Sequence, residues 1–172
     1  MTTDQYINAL KRIFVIEDLQ AWSVTLRSKT AIRTTAKRHF TDPSIAAASL
    51  RATPKRLLAD FNTFSLLFES LCIRDLRIYA ESIDGSVFHY RDKSDLEIDA
   101  IIQLADGRWG AVEIKMGFSE IEKAAENLLS LSKKVDTEKA GKPSFLMVLT
   151  NTGHAFQMQN GVWVVPLGCL RN

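Results

Sequence analysis

The sequence predicts an α/β fold in which a core of order α-β-β-β-α-β follows a small N-terminal α/β lobe. Three observations predict this order: a long helical apolar period after Thr53, three strand-like runs behind it, and a second helical period before an apolar run at 144–150. A chain of 172 residues with 46% hydrophobic and 24% charged residues is long enough for one such core. We therefore expect a basic lobe or arm over residues 1–52 and the core over residues 53–172.

The N-terminal lobe has the weakest pattern. Apolar residues between Tyr6 and Phe14 predict a helix that runs into a short strand at 14–16. Asp42-Pro43 predicts a turn before a short alanine-rich helix at 45–50.

The first core helix is predicted to begin at Thr53, an N-cap residue followed by proline, and to extend to about Tyr79. Between Phe61 and Ile73 its only charged residue is Glu69, and apolar residues lie near the same side of the helix. The Glu69 carboxylate therefore needs a partner.

The remaining core elements follow with short connections. Strand-like runs cover 86–90, 96–104 and 109–116, and the last two are joined by Ala105-Asp106-Gly107. Ser119 and Glu122 have the spacing of a capping box and predict the start of a second helix. Its apolar stripe comprises Ile121, Ala124, Ala125, Leu128, Leu131 and Val135. The run at 144–150 predicts a strand covered on both faces, and 154–158 with 162–165 predicts a closing hairpin.

Charge is distributed unevenly along the chain. The net charge is only +2, but residues 1–60 carry ten Lys and Arg against five Asp and Glu. This excess is typical either of a phosphate-binding arm or of a solvated basic face. The candidate nucleic-acid-binding residues are Arg27, Lys29, Arg33, Lys37 and Arg38.

The chain is expected to be cytoplasmic and not to insert into a membrane. Cys72 and Cys169 lack CxxC spacing, and the N-terminus has no basic-then-apolar targeting pattern. No apolar run approaches the roughly 20 residues that a membrane-spanning helix needs.

The motif Glu113-Ile114-Lys115 is the main candidate for chemistry. Side chains alternate along a strand, so Glu113 and Lys115 share one face. On the preceding strand Glu97 and Asp99 also share a face, which is predicted to lie opposite that of Ile98, Ala100 and Ile102.

The turn between these strands decides whether the two acidic faces coincide. A three-residue loop with left-handed Gly107 pairs Leu104 with Arg108 and therefore Asp99 with Glu113. A two-residue loop, Asp106-Gly107, would shift the register by one and place the carboxylates on opposite faces.

Two carboxylates directly opposite each other repel, and a hard divalent cation such as Mg²⁺ or Mn²⁺ resolves the repulsion. Such an ion supports phosphodiester hydrolysis, and a nearby lysine ammonium stabilises the same developing charge. The residues therefore predict a metal-dependent phosphodiesterase site with Asp99 and Glu113 as ligands and Lys115 as the assisting cation.

Other chemistry-bearing residues have weaker patterns. His39, His89 and His154 lack metal-ligand spacing and favour core or surface roles. The three tryptophans favour core or edge packing over base stacking. Asn127, on the second core helix, is interpreted either as a polar partner of the site or as a solvated position.

Several segments resemble a family: the C-terminal domain, of unknown function, of bacterial and archaeal AAA-type ATPases, which is assigned to the PD-(D/E)XK nuclease fold. The resemblance spans most of the chain. The segments that carry it are Asp18–Trp22, Leu26–Lys29, Lys37–Asp42, Leu67–Leu71, Tyr90–Asp92, Leu96–Asp99 and Ala111–Gly117.

The resemblance implies a restriction-endonuclease-like fold and a site with four residues in defined roles. Asp99 and Glu113 would be metal ligands with the Ile114 carbonyl as a third, Lys115 the catalytic lysine, and Glu69 the helix-borne accessory acid. Ser94-Asp95-Leu96 departs from the family, which commonly has glycine just before the Glu-hydrophobic-Asp motif.

The resemblance also implies a P-loop ATPase domain or subunit as a partner. The sequence contains no GxxxxGK[S/T], so no ATP site is assigned, and the chain is expected to be a fragment or a truncated relative.

Three functions follow from these observations. The first is a candidate Mg²⁺- or Mn²⁺-dependent nuclease acting on nucleic acid, with DNA preferred. The second is a catalytically silent nuclease-fold module that binds nucleic acid or a partner and regulates an ATPase. The third is nucleic-acid cleavage of the defence or toxin type. The facing carboxylates with Lys115 favour the first.

Overall fold

A six-stranded mixed sheet organises the computed structural model, which describes residues 2–23 and 35–170. Helices cover both faces of this sheet, and a separate two-stranded sheet lies near the N-terminus. The fold is therefore mixed α/β, as the sequence predicts. Within these ranges no helix combines the length and the apolar character that a membrane crossing requires.

The N-terminal segment forms helix α1 (Thr3–Arg12), an antiparallel hairpin of β1 (Ile16–Leu19) and β2 (Lys37–Phe40), and helix α2 (Pro43–Ser49). Asp42 caps α2, since its side chain accepts a hydrogen bond from the Ser44 N–H. The predicted strand at 14–16 is wrong in its start, because Phe14 has a φ of +54° and is 79% exposed.

The long helix predicted from Thr53 is two helices, α3 (Pro54–Ala59) and α4 (Phe61–Glu81). Asp60 separates them with a non-helical φ of −123° and ψ of 80°. Its carboxylate accepts bonds from the N–H and the hydroxyl of Thr63, at 3.1 and 2.7 Å, and so begins a second helix.

The sheet strands agree with the predicted strands to within one or two residues. They are β3 (Gly85–Arg91), β4 (Glu97–Leu104), β5 (Trp109–Lys115), β6 (Phe145–Thr150), β7 (Phe156–Gln157) and β8 (Trp163–Pro166). Their spatial order in the described chain is β3-β4-β5-β6-β8-β7. The β5–β6 and β6–β8 pairs are parallel and the others antiparallel, so the predicted closing hairpin is confirmed.

The crossover from β5 to β6 contains helix α5 (Ile121–Lys134) and the short helix α6 (Thr137–Ala140). The whole predicted apolar stripe of α5 is buried. The predicted capping box is wrong: residues 118–120 form a turn of 3₁₀ helix, and Glu120 at the N-cap makes no side-chain capping bond.

Two apolar layers lie on the two faces of the sheet. One contains the buried stripe of α5 with Trp22 and Trp109, whose rings are 4.9 Å apart. The other contains buried residues of α4 with Leu19 of β1. The N-terminal segment is therefore built into both layers, and a parallel bridge between Ala21 and His89 attaches it to β3.

Candidate active site

The β4–β5 turn has the three-residue form on which the predicted site depends. Gly107 has a φ of +90°, and the Leu104 N–H donates to the Arg108 carbonyl at 2.8 Å. The ladder then pairs Gln103 with Trp109 and continues to Ala100 with Val112. This register brings Asp99 opposite Glu113, so the prediction is confirmed.

The backbone pairing between β4 and β5 ends before Asp99. No backbone pair is formed at Asp99 and Glu113; instead Asp99 Oδ2 accepts a 2.8 Å hydrogen bond from the Ile114 N–H. A carboxylate thus takes the place of the next backbone acceptor. This contact fixes Asp99 against β5 while leaving its other oxygen for a second partner.

A bulge in β4 also aims Asp99. Opposite β3, Ile101 pairs with Phe88 and Ile98 with Tyr90, so Asp99 and Ala100 together face the single residue His89. Bulges commonly re-aim side chains next to functional sites. The predicted common face of Ile98, Ala100 and Ile102 is therefore wrong: Ile98 packs in the Trp109 layer, whereas Ala100 packs in the Leu19 layer.

Glu113 is the most buried carboxylate of the site, with 2% exposure. Its Oε1 accepts a 3.1 Å hydrogen bond from Asn127 Nδ2, and its Oε2 lies 2.9 Å from Lys115 Nζ. Burial and the negative charge of Asp99 raise the pKa of Glu113 to about 7, against the opposing effect of Lys115. Glu113 therefore holds its proton more tightly than an ordinary glutamate does.

Asp99 is ionised more readily than Glu113. Burial by itself would raise the pKa of Asp99, but the ammonium groups of Lys115 and Lys37, with the Ile114 N–H, lower it overall. Its Oδ2 is 3.6 Å from Lys115 Nζ and its Oδ1 is 3.6 Å from Lys37 Nζ. Asp99 thus lies between two cations.

Lys115 joins the two carboxylates that the sequence predicts as ligands. Although burial would lower the pKa of Lys115, Asp99 and Glu113 raise it overall. The side chain is 25% exposed, and its ammonium contacts both carboxylates. At neutral pH it is a fixed positive charge and a hydrogen-bond donor.

Glu69 of α4 has the partner that its apolar surroundings required. Its Oε1 lies 3.6 Å from Lys37 Nζ, and the same ammonium is 2.5 Å from Glu97 Oε1. Burial and the charge of Asp99 raise the pKa of Glu69, against Lys37. The structure thus brings together all four predicted catalytic residues and adds Glu97 and Lys37.

Three site residues were not assigned their place by sequence. The sequence places Glu97 on the face of Asp99 without a role. It predicts either a phosphate-binding arm or a solvated basic face for Lys37, and it gives Asn127 two interpretations. Asn127 is a site partner, since it bonds Glu113. Its signal was its position on the helix that follows the Glu113 strand.

The predicted nucleic-acid-binding residues separate into three groups. Arg38 is exposed on β2, next to Lys37, whose ammonium is turned to the carboxylates. Arg27, Lys29 and Arg33 lie outside the described residues. Their binding role stays a prediction.

Of the three histidines, His39 and His89 are buried close to the carboxylates. Burial and the neighbouring Lys37 lower the pKa of His39 to about 4, and the same two causes lower the pKa of His89. Both imidazoles are therefore neutral at neutral pH. His154 is exposed, so the predicted core and surface positions are confirmed.

The connection that carries Glu97 into the site is built around Asp92. Its Oδ1 accepts hydrogen bonds from the N–H and hydroxyl of Ser94, both at 2.7 Å, and Lys134 of α5 contacts its Oδ2 at 2.7 Å. Asp95 has a φ of +58°, a conformation that glycine adopts without strain. An aspartate therefore occupies the left-handed region in this connection.

The possible metal donors of this cluster are carboxylate oxygens. Four carboxylates and two ammonium groups give four negative and two positive charges, a net of minus two when Glu113 is ionised. Oxygen ligands suit Mg²⁺ or Mn²⁺. In the described ranges no three His, Cys, Asp or Glu side chains already converge in a metal-ligand arrangement.

Comparison with protein families matches two parts of the chain. Residues 64–170, more than half of the chain, match Domain of unknown function (DUF4143), and residues 1–56 match Domain of unknown function (DUF8612). The chain belongs to the DUF4143 family, which is commonly found in AAA-ATPase-associated proteins. No curated protein and no solved structure matches it. The family match confirms the part of the resemblance that predicted such a domain of unknown function.

Proposed function

We propose that this chain is a restriction-endonuclease-like domain that hydrolyses phosphodiester bonds of nucleic acid, with DNA as the preferred substrate, in the presence of Mg²⁺ or Mn²⁺. The observation that carries the proposal is the adjacent pair Asp99 and Glu113 with Lys115 in contact with both. A purely structural strand end gains nothing from two carboxylates that repel each other.

Asp99 and Glu113, with the Ile114 carbonyl, would hold the ion. When bound, the ion would supply a positive charge that acidifies water and offsets negative charge on the phosphate. Because burial and Asp99 raise the pKa of Glu113, binding of a divalent cation would displace a proton from this carboxylate near neutral pH.

Lys115 has a role that follows from its charge. Because its pKa is raised, Lys115 is protonated at neutral pH and donates hydrogen bonds instead of accepting a proton. The ammonium can therefore orient a water and stabilise the phosphate oxygens as they gain negative charge. Glu69, whose pKa is raised, would be the accessory acid of this cluster.

The reaction itself is a simple displacement. The water oxygen forms a bond to phosphorus while one P–O ester bond breaks, and the water proton ends on the departing oxygen or on solvent. The products are a phosphate monoester and a free hydroxyl.

The test is cleavage of double-stranded DNA, single-stranded DNA and RNA with Mg²⁺, Mn²⁺ or a chelator. Wild-type protein should cleave at least one of these with metal, and Asp99→Ala or Lys115→Ala should reduce cleavage by about 10³-fold or more without loss of folding. The matched control is Lys139→Ala, which removes an exposed lysine paired with Asp136. The proposal is wrong if the wild-type protein cleaves none of these three nucleic acids with either metal.

A second candidate is a catalytically silent module that binds nucleic acid or a partner and regulates an ATPase. Two observations favour it: Lys37 and Lys115 already engage the carboxylates, and the family is commonly found in AAA-ATPase-associated proteins. In that case Arg38→Glu should weaken nucleic-acid binding and reduce its salt dependence, whereas Glu113→Gln should leave binding unchanged.

A further inference from the structure

Lys37 reaches the carboxylate cluster from a different part of the chain. It lies on β2 in the N-terminal segment, whereas the carboxylates come from α4, β4 and β5. Its ammonium contacts Glu97 at 2.5 Å and both Glu69 and Asp99 at 3.6 Å. Three carboxylates from two elements therefore converge on one ammonium.

The β1–β2 hairpin holds Lys37 in this position. Leu19, its partner in the hairpin register, has no exposed surface and packs with the buried residues of α4 on that face of the sheet. Arg77 of α4 donates to the Asp18 carbonyl at 3.0 Å and forms an ion pair with Glu17. Because the hairpin is fixed to α4 at these points, the backbone of Lys37 is held beside the carboxylate cluster.

The two lysines divide the cluster between them. Lys115 contacts Asp99 and Glu113, while Lys37 contacts Glu69, Glu97 and Asp99, so Asp99 is the shared member. Although burial would lower the pKa of Lys37, the three carboxylates raise it overall, so it is charged. Carboxylate oxygens are also the ligands that a hard divalent ion prefers. With Lys37 between them, these three carboxylates do not stand in a metal-ligand arrangement in the described residues.

We propose that Lys37 is a tethered cation that occupies a second cation position of the cluster, between Glu69, Glu97 and Asp99. The protein then binds one divalent ion, on the Asp99–Glu113 side, and excludes a second. This inference rests on the proposed function, since it assumes the metal centre at Asp99 and Glu113.

The exclusion has a simple electrostatic cause. A divalent ion between Glu69, Glu97 and Asp99 would need the space that the Lys37 ammonium itself fills, with three carboxylates already engaged. An ion at Asp99 and Glu113 would instead lie beside Lys115 and share two carboxylates with it. Replacing the ammonium with a neutral side chain removes the repulsion and frees the ligands. At this separation one charge changes affinity by about two orders of magnitude or more.

The experiment is a titration of the whole chain with Mn²⁺. Binding is measured by isothermal titration calorimetry and by the electron paramagnetic resonance signal of free Mn²⁺. Wild type and Lys37→Arg should bind one ion. Lys37→Met should bind two ions. The double variant Lys37→Met with Glu97→Gln should bind the second ion with an affinity at least about tenfold lower than that of Lys37→Met. The matched control is Lys11→Met, which removes another half-buried lysine of the N-terminal segment, paired with Asp18 at 2.5 Å.

The outcomes separate the inference from the proposed function. Two ions in wild type, or one in Lys37→Met with unchanged affinity, would overturn the tethered-cation role while leaving the metal centre intact. If neither protein binds Mn²⁺, both ideas fail. Lys37→Gln is a second neutral variant in case Lys37→Met does not fold, and the wild-type count tests the inference in either case.

Discussion

Asn127 Nδ2 donates a 3.1 Å hydrogen bond to Glu113 Oε1 and so joins the helix of the β5–β6 crossover to the most buried carboxylate of the site. The other oxygen of Glu113 contacts Lys115. The carboxylate is thus oriented from two sides, by an uncharged donor and by a cation.

Asn127→Ala should weaken Mn²⁺ binding by about 10- to 100-fold, because residues that orient a ligand contribute this much to metal affinity. The pH profile of binding should also move to higher pH, since Glu113 loses a donor that favours its ionised form. Calorimetry over a series of pH values measures both effects. The control is Glu126→Ala, an exposed neighbour on the same helix; equal effects in both variants would remove the positioning role.

Glu113 should make the metal-free protein less stable as the pH rises. Its pKa is raised from 4.5 to about 7, so the folded state binds the proton more tightly than the unfolded state between these values. The free energy of unfolding should therefore fall through this window, by about 3 kcal/mol in total. Urea unfolding with a chelator present measures the fall.

Glu113→Gln should abolish that part of the pH dependence, and saturating Mg²⁺ should reduce it in wild type. Parallel curves for wild type and Glu113→Gln between pH 4.5 and 7 would show that Glu113 titrates normally.

Gly110→Ala should lower the free energy of unfolding by about 1–3 kcal/mol, because overpacking forces neighbours to move. A methyl group at Gly110 would lie 2.3 Å from Phe145 Cε1, on the strand paired with it. Thermal and urea unfolding measure the loss. Gly168→Ala is the control, since its added methyl group meets no atom within 4 Å, and Phe145→Leu should partly restore Gly110→Ala.

Asp95→Gly should raise the free energy of unfolding by up to about 1 kcal/mol, because Asp95 has a φ of +58°. Asp95→Val should lower it by about 1–2 kcal/mol, since a β-branched side chain is strained there. Asp95→Asn removes the charge near Arg91 but keeps the tolerance of this conformation, so it should change little. Equal stabilities for glycine and valine would contradict a backbone cause.

The local part of the site was predictable from sequence. Gly107 is compatible with a three-residue and a two-residue loop, so the sequence limits the hairpin to two registers. Only the three-residue form, which the structure has, brings Asp99 opposite Glu113. The buried stripe of the second core helix was predictable for a similar reason, because helical periodicity is a property of consecutive residues.

Features that depend on distant contacts were not predictable in the same way. The bulge at Asp99 has no signal in an alternating pattern, and it moved Ile98 and Ala100 to different layers. The apolar period around Asp60 predicts a continuous helix. Only its hydrogen bonds from Thr63 show that Asp60 is the N-cap of a second helix. Lys37 belonged to a basic run, and only the β1–β2 pairing brings it to Glu97.

The position of Lys37 has a consequence for how the sequences of relatives vary. The lysine lies in the segment matched by one family and its three carboxylates in the segment matched by another, so the two segments meet in one ion-pair cluster. A relative with a different N-terminal segment would lack the Lys37 ammonium. It would then need another cation at this place or one carboxylate fewer. Across relatives, substitutions at the positions of Lys37 and Glu97 should therefore occur together.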